Sequence, residues 1–328
     1  MLLDIKSSKN DDKGSEQCPI CGSDGNVTRS LNLDDIQRKL KEYFLEEIPN
    51  DISFDSYDII QCQHCELEYA SPFIPGSDAF YRWITSREGY YPSVRWEWIF
   101  LTEEFKRVAL TKPISILDVG CGSGVFMSTL NNIPGINIIG LDTTPESISD
   151  CRSKNLSAHC MTIDQFNQTF PEQRFDYVVS FHCLEHVTNP KLFVQSMLSI
   201  TKDGGKVLVS TPYSPMSFEK DWIDILNCPP HHITRWNDRT YDELANQLNC
   251  QVKYYMPPSG SLIERTSTAF RLATVGKLGS TSKSRLVFKA LTNPIKFSKV
   301  LFHQLTRPKI NNQVAANVIL VELKSSES

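Results

Sequence analysis

Between Ile114 and Thr211 the chain repeats one unit, an apolar strand that runs into a turn and then a helix, and this alternation restricts it to a parallel sheet covered by helices on both faces. ISILDV (114–119) reads as a buried strand entering the turn GCGSG, after which VFMSTLNN begins a helix. INIIGLD ends a second strand at Asp142, and Thr143 with Glu146 has the spacing of a capping box, with Pro145 in the first turn. FDYVVSF is a further strand, NPKLFVQSMLSI a helix capped by Asn189 with Pro190 at its first position, and DGGKVLVSTP a return to strand. TYDELANQLN reads as a helix with Thr240 and Glu243 as its capping box, followed by the strands QVKYYM and VAANVILVEL. The expected fold is α/β, a doubly wound, mostly parallel sheet whose ligand sits at the carboxyl ends of the strands.

Gly120, Gly122 and Gly124 let the backbone approach such a ligand closely, and Asp142 stands where a ribose diol needs an acceptor. Two cofactor classes share that plan. The dinucleotide fingerprint wants a third glycine where this chain has Val125, and Asp118 precedes the turn.

The chain has 328 residues, 40% of them hydrophobic and 22% charged, which suits a globular protein of about two domains. The net charge of −4 exerts no global pull toward nucleic acid. No segment has the uninterrupted apolar length of a membrane span, and the polar N-terminus lacks a signal-peptide run, so a cytoplasmic location is expected.

Four of the ten cysteines form two Cys-x-x-Cys pairs, Cys18 with Cys21 and Cys62 with Cys65. Each pair puts two thiolates on one tight turn, and two such turns complete the four-sulfur shell that zinc prefers. No His or acidic ligand with an open coordination position accompanies them, which favours structural over catalytic zinc; His64, between the ligands, is expected to be exposed. Between the pairs, LDDIQRKLKEYF has Ile36, Leu40 and Phe44 at steps of four and reads as an inserted amphipathic helix. The remaining cysteines read as free thiols, mostly buried. The expected organisation is a zinc-ribbon-like module over 1–75, a helical linker or substrate cap over 76–112, and the α/β domain over 113–328.

D-V-G-C-G-S-G, G-L-D, F-D-Y-V-V-S-F-H-C-L-E-H-V and D-G-G-K-V-L-V-S-T-P together resemble the class I S-adenosylmethionine-dependent methyltransferases, and L-E-H points to the branch acting on small molecules, quinones and sugars. The resemblance implies a Rossmann-like fold with a seven-stranded sheet and S-adenosyl-L-methionine as cofactor. It implies that Asp118 and the backbone of Gly120, Cys121, Gly122 and Gly124 hold the methionine end, that Asp142 and Thr143 meet the ribose, and that the Thr162–Ile163 turn flanks the adenine, with Asp164 taking its place if the turn shifts. Phe181 is counted with the same seat. CPICGS and YDIIQCQHCELEYASP resemble the cysteine-paired module preceding sugar C-methyltransferases and many methyltransferases of glycan and natural-product clusters, where the metal is structural.

Methyl transfer to a hydroxyl or a carbon needs an aligned acceptor and a group that takes a proton, and histidine titrates in the right range. CPPHHITRW (228–236) resembles a P-P-H-H segment of related methyltransferases, so His231 or His232 is the expected base or acceptor-orienting group, with His182 next. Packing under a lid and a second metal site are the competing roles for the pair. His186 reads as a satisfied structural histidine or a cofactor or substrate contact.

Residues 260–310 hold ten Lys or Arg and one acid, Glu264. Leu286, Val287, Leu291, Ile295, Val300, Leu301 and Leu305 alternate with the bases at helical spacing, which reads as a solvated face or subunit contact, as a helix pair on an anionic membrane or lipid-linked acceptor, or as an RNA contact. The expected function is methylation of oxygen or carbon of a sugar, glycan precursor or other small metabolite. An RNA base methyltransferase and a non-catalytic scaffold are the alternatives; the acidic average and the lack of a base-stacking strand set count against RNA.

Overall fold

A computed structural model describes residues 17–87, 90, 92–276 and 281–326. The N-terminal part contains β1 (Gly25–Leu31), α1 (Leu33–Phe44), β2 (Tyr57–Cys62), β3 (Glu68–Ser71), α2 (Asp78–Thr85) and α3 (Trp96–Ala109). The central part follows as β4 (Ile114–Val119), α4 (Val125–Leu130), β5 (Ile136–Asp142), α5 (Pro145–Ser153), β6 (Ala158–Cys160), α6 (Ile163–Thr169), β7 (Phe175–Phe181), α7 (Pro190–Ser199), β8 (Thr201–Pro212), β9 (Thr234–Arg235), α8 (Asp238–Gln247) and β10 (Cys250–Tyr255). The insertion forms α9 (Leu262–Val275), α10 (Lys283–Thr292) and α11 (Pro294–Leu305), after which the short pair β11 (Lys309–Ile310) and β12 (Gln313–Val314) leads to β13 (Val318–Ser325).

The main sheet has the order β10-β13-β8-β7-β4-β5-β6, and its pairings are parallel except for the two that β13 makes. Strand order reverses between β4 and β7, which creates a crevice at their carboxyl ends. Ile116, Leu117, Val178 and Val179 are fully buried because helices cover both faces, which is why these strands are continuous apolar runs rather than alternating ones. One face packs on α3, α4 and α5 through Leu101, Phe105, Phe126, Met127 and Ile148. The other packs on α6, α7 and α8 through Phe166, Val194, Met197, Tyr241 and Leu244.

Three local expectations are corrected. Helix α5 has Thr144, not Thr143, at its N-cap and no side-chain cap bond; the Thr144 amide is taken instead by Asp142 Oδ1 at 2.8 Å. Helix α8 is capped by Asn237, whose Oδ1 accepts from the Thr240 amide, so Thr240 lies inside the helix and its hydroxyl donates to the Cys65 carbonyl at 2.9 Å. The insertion has three helices rather than two. They share a small core of Ala269, Phe270 and Val300, and Lys289 and Lys296 donate to the carbonyls of Thr274 and Ala273 near the end of α9. Among the described residues no helix is long and apolar enough to cross a membrane.

The N-terminal module is joined to the α/β domain by backbone pairing. The N-terminal sheet runs β1-β2-β3-β9, so its last strand comes from the segment that follows the paired histidines. Ala70 and Gly76 donate to the carbonyls of Ile233 and Pro230. Arg235, 7% exposed, bridges the two parts: its guanidinium lies 3.1 Å from Glu68 Oε2 and 2.5 Å from Glu219 Oε1. Removing one partner of such a buried pair strands the others, so Arg235→Met is expected to cost about 3–5 kcal/mol, read as a lower denaturant midpoint, and adding Glu219→Gln is expected to recover part of it.

Candidate active site

The turn after β4 lies at the crevice. Gly120, Gly122 and Gly124 all have left-handed backbone, with φ of 79°, 52° and 74°. Side chains are excluded as well: a Cβ on Gly120 would sit 3.0 Å from Cys183 Sγ, and one on Gly124 would sit 2.5 Å from Leu156 Cδ1. The amides of Gly120 and Cys121 both donate to the Leu141 carbonyl, which ties the turn to β5. The Cys121 thiol points under the turn, where a Cβ on Gly140 would meet it at 2.7 Å, so only the backbone of Cys121 is available to a ligand.

Asp118 is 1% exposed, and its Oδ1 has no hydrogen-bond partner. Burial, with the Asp142 charge adding to it, pushes its carboxyl up to about 8. A buried carboxyl with one oxygen unpartnered, beside a glycine cradle, fits a cationic ligand group that would favour its ionised form. Asp142 Oδ2 accepts from the Gly122 amide at 2.9 Å while Oδ1 takes Thr144, so the carboxylate holds the turn and keeps further lone pairs for a diol.

The other expected contacts divide. Thr143 is exposed beside Asp142. Thr162 is the cap of α6, in a capping box with Gln165, and Ile163 points into the core, which leaves backbone at that turn. Asp164 Oδ1 accepts from Ser196 Oγ at 2.6 Å and is turned to α7. Phe181 lies in an aromatic cluster with Phe126 and Trp98 under the sheet. Its ring belongs to the core.

Four histidines gather at the ends of β7 and β9, and hydrogen bonding separates their roles. His231 donates from Nδ1 to the Leu226 carbonyl at 2.7 Å, and its Nε2 accepts from the Tyr90 hydroxyl at 2.9 Å. His232 donates from Nδ1 to Asn227 Oδ1 at 2.9 Å and stacks on His231. His186 donates from Nδ1 to the His231 carbonyl at 2.7 Å. Burial pushes His231 down to about 3 and lowers His186 and His232, so all three rings are neutral at pH 7. One ring nitrogen from each lies within 4.8 Å of the others, a ligand number for an open metal site, although His231 has both nitrogens already partnered.

His182 differs. It follows β7 with φ of 51°, a strained conformation for a residue with a side chain, and precedes Cys183, which lies against Gly120. Its Nε2 lies 3.0 Å from Glu97 Oε1 and its Nδ1 3.6 Å from Glu185 Oε1, and both glutamates are 1% exposed. Burial acts to lower its pKa, but the two carboxylates outweigh that and raise it. At 3.6 Å the contact with Glu185 is too long for a hydrogen bond, and both Glu185 oxygens are buried without one. Sequence reasoning missed Glu97, although a carboxylate set between Trp96 and Trp98 in an apolar run is a visible signal.

The four cysteines of the N-terminal module converge. Sulfur separations are 3.5 Å for Cys18–Cys65, 3.4 Å for Cys21–Cys62 and 3.7 Å for Cys21–Cys65, close to the ~3.8 Å edge of a tetrahedron with 2.3 Å metal–sulfur bonds. Gly22 and Glu66, each just after a pair, take left-handed backbone, and the amides of His64 and Cys65 donate to Cys62 Sγ. His64 is exposed and faces Glu243.

Residues 96–254 match the family described as a methyltransferase domain. Among curated proteins, the mitochondrial ubiquinone biosynthesis O-methyltransferase of Dictyostelium discoideum is 30% identical over 112 residues, 30% of this chain and 35% of that protein. The ubiquinone biosynthesis O-methyltransferase of Rhodopseudomonas palustris strain BisB18 is 30% identical over 153 residues, 42% of this chain and 56% of that protein. The chain thus spans between about a third and somewhat over half of these relatives. Among solved structures, a SAM dependent methyltransferase from Archaeoglobus fulgidus is 17% identical with a TM-score of 0.44, covering 70% of this chain and 94% of that one. The plantazolicin methyltransferase BpumL in complex with a triazolic desmethylPZN analog and SAH is 16% identical with a TM-score of 0.47, covering 76% of this chain and 92% of that one. The seven-stranded sheet, its order and the match over 96–254 make this a Rossmann-like methyltransferase fold.

Proposed function

We propose that the protein is an S-adenosylmethionine-dependent methyltransferase acting on oxygen or carbon of a small metabolite, a sugar or glycan precursor among them. The observation that carries this reading is the buried carboxyl of Asp118, whose Oδ1 has no hydrogen-bond partner among the described residues, beside three left-handed glycines. Asp118 would hold the methionine ammonium and Asp142 the ribose hydroxyls; when bound, the cofactor supplies an activated methyl group on a sulfonium. An acceptor hydroxyl gives its proton to His182 Nδ1, because Glu97 holds Nε2 as a donor and Glu185 stabilises the resulting imidazolium. His231 has no free nitrogen, so it and His232 shape the wall beside Glu185.

His182→Gln is expected to lower kcat by about 10²–10⁴ while cofactor affinity measured by calorimetry stays unchanged. The base must be unprotonated to act, so wild-type kcat rises with pH through a pKa above the ordinary histidine value, and that limb vanishes in the variant. His231→Ala is expected to lower the unfolding midpoint and leave the limb in place. The assay first screens sugar nucleotides, lipid-linked saccharides and RNA as acceptors; methylation of RNA alone would favour the nucleic-acid alternative, and no heat of cofactor binding the scaffold. Full turnover by His182→Gln would remove His182 from the chemistry.

The cysteine cluster is proposed to hold structural zinc, for which an all-thiolate closed shell is the usual arrangement. Metal analysis should find one zinc per chain from this cluster. Cys65→Ser should lose it and lower the thermal midpoint. Retention of the metal by that variant would count against four-sulfur ligation.

The insertion is proposed to rest on an anionic membrane surface. Helix α10 buries no residue, and Phe288, Leu291, Ile295 and Phe302 are 65%, 75%, 86% and 62% exposed among lysines and arginines. Co-sedimentation with anionic vesicles at low salt, weakened by high salt and lost in Phe288→Ser with Leu291→Ser, is the expected outcome. Equal recovery of both proteins with and without vesicles would end the proposal.

A further inference from the structure

A cleft of about 230 Å³ opens between the start of α3, the start of β13 and the first helix of the insertion, lined by Trp96, Ser217, Ser259, Arg265 and Asn317 among others. Its polar groups are mostly donors. Trp96 Nε1 and Arg265 Nε are buried without a partner. Asn317 Oδ1 accepts from the Ser217 amide at 2.7 Å, which leaves its NH2 as a third donor. Among the described residues no Asp or Glu lines the cleft. Among the described residues Arg265 donates to the Gly260 carbonyl and Ser259 Oγ, and neighbouring Glu264 is occupied in capping α9 through Ser261. Behind the cleft, Arg307 donates to the carbonyls of Pro215, Ala315 and Ala316, and burial, with the like charge of Arg265 also contributing, pushes it down to about 10. The two guanidinium groups are thus close enough for their charges to interact, and among the described residues no carboxylate bonds either of them, the nearby Glu219 being held by Arg235.

Donors without acceptors and a guanidinium with no bonded carboxylate describe a site for an anion. The cleft also adjoins the proposed chemistry, since Trp96 precedes Glu97, which holds His182. We propose that this cleft binds the phosphate or diphosphate group of the methyl acceptor, so that the insertion supplies part of the substrate site. This rests on the methyltransferase reading only for the identity of the ligand as acceptor; the anion site stands on its own geometry.

The test is calorimetry on the full chain with inorganic pyrophosphate at low salt. Wild type should bind it, and Arg265→Met should weaken binding by about ten-fold or more, the effect of losing a charge-assisted contact. Asn317→Asp keeps the acceptor for Ser217, places a negative charge in the cleft and should weaken binding as well, which guards against a folding defect in one variant. Equal pyrophosphate affinity in all three proteins, or none in wild type, overturns the proposal. Cofactor affinity, measured on the same samples, should be unchanged; its absence in wild type would sink the methyltransferase reading and leave the cleft result standing. A nucleoside diphosphate sugar in solution and a lipid diphosphate in neutral vesicles then distinguish the source. Binding of either that depends on Arg265 supports the site, and binding of neither counts against it.

Discussion

The segment 230–235 is bonded on both of its backbone edges, and the rest of the site follows from that double pairing. On one side it extends the N-terminal sheet through β3. On the other, the Ile233 amide donates to the Glu185 carbonyl, Thr234 Oγ1 to the Leu184 carbonyl, and His186 Nδ1 to the His231 carbonyl. The histidines that the prolines introduce are thus fixed in the wall between two parts of the molecule. Their burial is a consequence of backbone pairing, and their hydrogen bonds satisfy it.

Electrostatics then sorts chemically identical side chains. His186, His231 and His232 have mainly carbonyl-type partners in a buried setting, so the neutral ring wins. His182 is as enclosed but stands between two carboxylates, and the attraction exceeds the desolvation cost. Asp118 is the converse case, a buried carboxyl whose proton is retained up to about pH 8 because no attraction to a cation offsets its burial. Such a residue costs stability unless something pairs with it, which makes it the most informative polar group in the cradle.

Much of the fold was legible because strand and helix periodicities differ and the punctuation is strong. ILDV before GCGSG, Asn189 with Pro190, and the Ile36–Leu40–Phe44 stripe all became the elements their patterns imply. What escaped were features that depend on distant partners. Thr240 sits at capping spacing from Glu243, but Asn237 competes for the cap and Cys65 takes the hydroxyl. The two-residue strand β9 has no periodicity to detect, because the edge of β3 creates it. In the site, glycines and Asp142 were visible from local pattern, whereas the pairing of His182 with Glu97 joins positions far apart in the chain, which a single sequence does not record.

The borrowed final strand also has a consequence for biogenesis. As the polypeptide leaves the ribosome, the cysteine knuckles and the first three strands emerge long before Thr234 and Arg235, so the rim of β3 waits unmated until they follow. Closure of that rim is deferred until residues 234–235 emerge, so a ribosome-stalled fragment ending before residue 230 would display an open edge ready for foreign strands.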